Sequence, residues 1–226
     1  MSDLPSGPLL NVGCGPRSPE GWVNMDGSWQ AWFATRPLLA AVASRILRRQ
    51  IGHWPRRIVC WNVRRGLCYG TASVGVVFSS HFIEHLYRDD AVAFLREAWR
   101  VLMPRGICRI VVPDVRAIVQ WYLDCLSESP DRRPASSDLL MDMLSLRQRS
   151  SRASGPLGWY RRWSDFDSHK WMYDVEGLLS VFREAGFADP HACGHLESDI
   201  PRELLMRVEQ VDRVANGAGI CVEARR

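Results

Sequence analysis

The chain has 226 residues, a length that suits one domain with at most a small appendage. Apolar residues make up 46% and charged residues 24%, which excludes a disordered tail, a collagen and a bundle of membrane spans. The formal net charge is +4 and, of the 29 basic residues, only Lys170 is a lysine. Because 25 acidic residues are spread among the arginines, no basic stripe of the kind that binds nucleic acid is expected. The arginine excess reads as composition or as a site for anionic substrates. The 7 cysteines are odd in number and contain no C-x-x-C pair, so neither a disulfide framework nor a zinc ribbon is indicated. With no signal-peptide pattern and no apolar run of about 20 residues, a cytoplasmic protein without stable membrane insertion is expected.

Taken in chain order, Leu9-Leu10-Asn11-Val12 is a short apolar run stopped at Gly13-Cys14-Gly15-Pro16, the pattern of a buried strand feeding a turn. A second strand is predicted over Trp22–Met25, ending at Asp26-Gly27. From Trp29 to about Gln50, the residues Trp32, Leu38, Leu39, Val42, Ile46 and Leu47 recur at helical spacing, with Arg45, Arg48 and Arg49 at the end, where cations suit the helix dipole. We read an ordinary amphipathic helix, the alternative being one that lies on an anionic membrane surface. Strands follow at Arg57–Trp61 and Val74–Phe78, then a helix from Asp89 to Leu102 with Trp99 on its apolar side. Met103-Pro104-Arg105-Gly106 is a break before a fifth strand at Ile107–Val112, and a helix runs on to about Leu126. Ser127 to Gly158 reads as a mobile insertion with a short helix. An aromatic segment through Trp159, Tyr160, Trp163, Trp171 and Tyr173 precedes a helix over Asp174–Glu184, closed by Gly186. A last strand is predicted from Ala218 to Ala224. Strands alternating with helices indicate an α/β sheet covered on both faces.

The turn Gly13-Cys14-Gly15 places backbone N–H groups where a ligand can approach closely. Asp26, ending the next strand, is placed to take two ribose hydroxyls. Ser18 stands where a dinucleotide fingerprint needs its third glycine, and the gap from Gly13 to Asp26 is short for a helix pointing at a pyrophosphate. A nucleoside without phosphates fits better than a nicotinamide cofactor.

Four segments in order carry a resemblance: LLNVGCGPRSPEGWVNMD (Leu9 to Asp26), VGVVFSSHFIEHL (Val74 to Leu86), REAWRVLMPRGICRIVVPD (Arg96 to Asp114) and HKWMYDVEGLLSVFREAGF (His169 to Phe187). Together they resemble class I S-adenosylmethionine-dependent methyltransferases, and within them the type-11 methyltransferase-like group. The resemblance implies an α/β Rossmann-like fold, a seven-stranded mostly parallel sheet with helices on both faces and an antiparallel C-terminal strand. It implies a single domain over 1–226, with a helical insertion at about 28–56 and a mobile insertion or cap at about 127–173. The implied cofactor is S-adenosylmethionine, with Asn11, Gly13, Cys14 and Gly15 passing the methionine part and Asp26 and Gly27 at the ribose. Asn62 and Val63 would lie at the adenine edge, and Ser79, Ser80 and His81 at the methyl end. Asn11 and Asn62 stand where related sequences carry acidic residues, an exchange that gives up charge assistance. Ser73-Val74-Gly75 replaces the usual Ser-Phe-Asp, and Arg105 the first glycine of a Pro-Gly-Gly turn.

His81-Phe82-Ile83-Glu84-His85 also spells H-x-x-E-H, the inverted zinc-protease signature. On a helix its histidines would share one face, with Glu84 as general base, giving the rival reading of a zinc-dependent hydrolase using His81, Glu84 and His85. The adjoining strand argues against a helix there, and no metal is expected. In the preferred reading His81 is the first choice of general base for a hydroxyl acceptor and His169 the second, while Glu84 and His85 are structural. Tyr160, Arg161, Arg162 and Trp163 are expected to contact the substrate, since aromatic faces and guanidinium groups suit ring and anionic acceptors. The expected activity is O-methylation of a small-molecule or glycan acceptor. A third reading is a non-catalytic, degenerate methyltransferase-fold binding protein.

Overall fold

The computed structural model describes residues 4–48, 50–51, 54–127, 136–146, 168–214 and 219–226. Seven strands form one sheet: β1 (Leu9–Val12), β2 (Val23–Asp26), β3 (Val59–Cys60), β4 (Val74–Ser80), β5 (Leu102–Pro113), β6 (His191–Ala192) and β7 (Gly219–Arg225), in the order β3-β2-β1-β4-β5-β7-β6. β1 to β5 pair parallel and β7 runs antiparallel to both β5 and β6. Leu10 stands beside Val23 on one side and Val77 on the other. That register explains why these strands read as unbroken apolar runs: a parallel strand covered on both faces has no wet side.

One face is covered by α3 (Arg88–Val101) and α6 (Val175–Glu184). Val92, Leu95, Ala98, Leu178 and Phe182 pack there on Leu10, Val77 and Ile110. Asp174 caps α6 by accepting the Gly177 N–H at 2.8 Å, as the position of the acid before the apolar run predicted. On the other face, no helix separates β1 from β2, and the chain between β6 and β7 fills the place. Ile200, Leu205, Val208 and Val214, carried in and around the short helices α7 (Arg202–Leu205) and α8 (Val211–Val214), cover Trp22, Val76 and Phe78. This excursion is pinned by Arg109 of β5, fully buried. Its guanidinium donates to Glu209 at 2.6 and 3.1 Å, to Glu223 at 3.0 Å and to the Gly194 and Glu197 carbonyls at 2.9 and 2.8 Å.

Several boundaries differ from the sequence reading. The single helix expected from Trp29 is two, α1 (Trp29–Ala34) and α2 (Pro37–Leu47), because Pro37 cannot continue a helix but suits the first turn of a new one. The apolar row of α2 faces outward rather than into a core: Leu38, Val42 and Ile46 are 83%, 57% and 72% exposed. Met103–Gly106 does not interrupt β5 but runs within it, accommodated by Arg105 at φ 67° and a register shift between Val74 and Val76. β3 shrinks to two residues, and β6, equally short, carried no periodic signal. Trp99 is not buried but carries the Arg226 guanidinium 4.3 Å above its ring. Among the described residues, the remaining helices are α4 (Val115–Ser127) and α5 (Ser136–Met143). Of the Ser127–Gly158 insertion, residues 128–135 and 147–158 lie outside the described residues, as do Trp159, Tyr160, Arg161, Arg162 and Trp163.

Candidate active site

The carboxyl ends of β1, β2 and β4 meet where open α/β sheets hold ligands. Gly13 and Gly15 have φ of +69° and +59°, left-handed backbone that glycine adopts without strain. The Gly13 and Cys14 N–H groups both donate to the Met25 carbonyl, at 2.9 and 3.1 Å, which clamps the turn to β2. A Cβ on Gly13 would lie 2.5 Å from the Phe82 ring, and one on Gly27 would lie 2.7 Å from the Trp61 carbonyl. Asp26 orients both turns: its Oδ2 accepts the Gly15 N–H at 3.1 Å and its Oδ1 the Ser28 N–H at 2.8 Å.

Two clefts open on this turn. The first, about 250 Å³, is lined by Gly13, Gly15, Asp26 and Gly27, by Trp54, Trp61, Asn62 and Val63, and by His81, Phe82 and His85. Asn62 caps the short turn Val63–Arg65 through a 3.1 Å bond from the Arg64 N–H to its Oδ1. The second, about 340 Å³, is lined by Asn11, Gly13, Cys14, Gly15, Arg17, Ser80, His81, Arg207, Gln210 and Arg213. Asn11 donates to Asn24 Oδ1 at 2.9 Å, fixing its amide so that no charge faces this cleft from β1. Arg207 donates to the Glu20 carbonyl at 3.1 Å and Arg213 to the Ser80 carbonyl at 3.5 Å. Among the described residues none of the guanidinium groups of Arg17, Arg207 and Arg213 is in an ion pair. Burial, then the nearby Arg17, lowers the pKa of Arg213, so an anion in this cleft would relieve a crowded charge.

His81 stands at the junction and lines both clefts. It follows β4 with φ 53°, its N–H bonded to the Val111 carbonyl at 2.9 Å. Burial, reinforced by Arg213, lowers its pKa to about 4, so the imidazole is neutral at physiological pH. Its Nδ1 is 3.6 Å from Oε1 of Glu84. Glu84 is fully buried, neither carboxylate oxygen has a hydrogen-bond partner, and burial raises its pKa to about 8. Behind it, the His85 and His169 rings meet edge-on at 4.9 Å. His85 Nδ1 lies 3.3 Å from the Ser168 carbonyl, and His169 Nδ1 3.1 Å from Met172 Sδ. The ligand-type atoms of Glu84, His85 and His169 all lie within 4.8 Å of one another.

The helix-borne zinc arrangement does not form. Ile83–His85 is one 3-10 turn and His81 precedes it in left-handed backbone, so the two histidines share no helical face. Of the residues read from the sequence, Asn11, Gly13, Cys14, Gly15, Asp26, Gly27, Asn62, Val63, Ser80 and His81 line one or both clefts. Ser79 does not: it is buried in the sheet with its hydroxyl unpartnered. His169 lies off both clefts, behind His85. The aromatic segment divides, with Tyr173 buried and Trp171 half exposed. Sequence reasoning missed Trp54, Trp61 and Phe82 in the first cleft and Arg207, Gln210 and Arg213 in the second. The last three come almost two hundred residues after the turn they face, with no motif to announce them.

Residues 10–110 match the family model described as "Methyltransferase domain". No curated protein matches the chain. Similar solved structures include an S-adenosylmethionine-dependent methyltransferase from Archaeoglobus fulgidus, 13% identical, with 97% of this chain and 86% of that one covered and a TM-score of 0.48. Another, from Mesorhizobium loti, is 16% identical with coverage of 100% and 94% and a TM-score of 0.46. The matched stretch covers just under half of the chain and spans the glycine turn, Asp26, β4 and most of β5.

Proposed function

We propose that the chain transfers the methyl group of S-adenosylmethionine to an oxygen of a small-molecule or glycan acceptor, at the junction marked by His81. The observation that carries this reading is the meeting of two clefts of different chemistry at one neutral imidazole. The first cleft suits a nucleoside: Asp26 offers a carboxylate already oriented by two N–H groups, and Trp54, Trp61, Val63 and Phe82 supply apolar walls. The absence of side chains at Gly13 and Gly27 lets Phe82 and the Trp61 backbone close on the turn as walls of this cleft, since a Cβ at either would collide with its neighbour. The second cleft, with three guanidinium groups and Gln210, suits the carboxylate of an amino acid. The bound cofactor supplies an electrophilic methyl group on a positively charged sulfur.

The chain's own part is to bind, orient and handle a proton. The Gly13–Gly15 turn and Asp26 fix the nucleoside end, and Arg17 and Arg213 hold the anionic end, so reaction geometry is set before the acceptor arrives. His81 remains uncharged beside a cation, and takes the proton that an acceptor hydroxyl gives up. Glu84, 3.6 Å from Nδ1, is kept neutral by its burial below about pH 8, so it leaves the imidazole without a fixed negative charge beside it.

Calorimetric titration with S-adenosylhomocysteine tests the reading. Saturable binding that Gly13→Arg abolishes supports it, and no heat at millimolar ligand refutes it. For His81→Gln, turnover should drop by about 10²–10⁴-fold at little-changed S-adenosylhomocysteine affinity. The opposite pattern, lost affinity with intact turnover, would make His81 a wall of the pocket.

A further inference from the structure

The charge of this chain is unevenly placed. From Gly27 to Ile83 the sequence contains eight arginines and no aspartate or glutamate. The remainder holds 21 basic against 25 acidic residues, so the entire positive excess lies in this stretch. α1 and α2 belong to it. α2 touches the protein through Ala40, Ala43 and Ser44 and turns Leu38, Leu39, Val42 and Ile46 outward, 83%, 49%, 57% and 72% exposed. These four share one helical face by their spacing. Trp32 at the end of α1 is 40% exposed and carries the Arg36 guanidinium 4.3 Å above its ring. Arg45 and Arg48 flank the same helix, exposed and in no ion pair among the described residues.

An apolar row of this kind on a monomer marks a surface that is covered by something. The charge selects the occupant. A second copy packing through the same face would set arginine against arginine, because the Gly27–Ile83 stretch offers no acid, whereas an anionic lipid surface supplies a complementary charge to every exposed guanidinium at once. We propose that α1 and α2 dock this protein on an anionic lipid bilayer, the leucine–valine–isoleucine row entering the acyl boundary and Arg36, Arg45 and Arg48 meeting the headgroups. Ser28, which caps α1, and Trp54, in the same acid-free stretch, line the first cleft, so docking brings its mouth beside the membrane surface. No helix among the described residues is long and apolar enough to cross a membrane, and the contact is therefore interfacial.

Vesicle flotation with the full chain decides the matter, independently of any methyl transfer. Binding to vesicles of phosphatidylcholine with 30 mol% phosphatidylglycerol should exceed that to pure phosphatidylcholine by about 100-fold, since each arginine near an anionic surface contributes roughly fivefold. It should weaken steeply between 50 and 500 mM NaCl. Leu38→Glu with Val42→Glu should lose at least tenfold. Arg45→Gln with Arg48→Gln should cut the preference for phosphatidylglycerol to about fivefold, the share left to Arg36, while keeping weak binding to both. Circular dichroism and Tm of both variants should match the parent, because every changed side chain is exposed. Equal binding to both vesicle types, or parent-like binding by the glutamate variant, overturns the proposal. A dimer in analytical ultracentrifugation that the glutamate variant abolishes, without vesicle binding by the parent, overturns it in favour of a subunit interface.

Discussion

Glu84→Gln gives the sharpest test of the electrostatics at the site. The carboxyl group is fully buried, and its pKa rises from 4.5 to about 8 because burial penalises the charged form. The folded chain therefore keeps a proton there that the unfolded chain has released, and stability falls as pH rises from 4.5 toward 8, then levels off. Linkage with these two values gives a loss of about 3–4 kcal/mol between pH 5 and pH 8. Glutamine has the same shape and does not titrate, so its variant should gain that amount on the parent over the same interval. For a chain of this length the difference corresponds to about 7–14 °C in Tm. His81 and His169, both lowered from 6.5 to about 4, act in the opposite sense: their contribution is complete above 6.5 and is lost as pH falls toward 4. They are common to both proteins and cancel in the comparison. The assay is urea denaturation of parent and variant at half-unit steps from pH 5 to 8. A stability difference that stays constant across that range would refute the reasoning, because Glu84 would then be charged in the folded state.

Gly13→Ala should cost at least tenfold in S-adenosylhomocysteine affinity, since its Cβ would stand 2.5 Å from the Phe82 ring, whereas Gly15→Ala meets nothing within 4 Å and should keep its affinity, the left-handed strain of about 1–2 kcal/mol falling on fold stability; equal affinity losses in calorimetric titration would contradict this. Arg109→Met leaves Glu209 and Glu223 buried without their cation and should destabilise by about 3–5 kcal/mol, lowering Tm by roughly 6–20 °C in a calorimetric scan. Because His81 titrates near 4, kcat/KM should show no ionisation of this histidine between pH 6 and 8; an inflection near 6.5 that disappears in His81→Gln would place the imidazole in water rather than in the site.

The strands of the sheet centre and the turn that follows β1 were legible in the order of residues alone. Leu9–Val12, Val74–Phe78 and Ile107–Val112 are short apolar runs ended by glycine, serine or proline, and a parallel strand buried on both faces leaves that trace wherever it occurs. Gly13, Gly15 and Asp26 were legible for a similar reason: each is demanded by local backbone geometry and lies within a few residues of its neighbours. The rest depends on contacts between segments far apart in the chain. β3 and β6, at two residues each, exist only because a neighbouring strand offers hydrogen bonds, so no periodicity marks them. The same helical spacing that reads as a buried stripe describes α2, and only its packing through alanine and serine shows that the stripe faces outward. The second cleft is the clearest case. Arg207 and Arg213 reach the glycine turn because Arg109 draws the chain between β6 and β7 across the sheet through Glu209 and Glu223. A contact over so many residues is set by burial of one cation among partners that sequence order keeps apart.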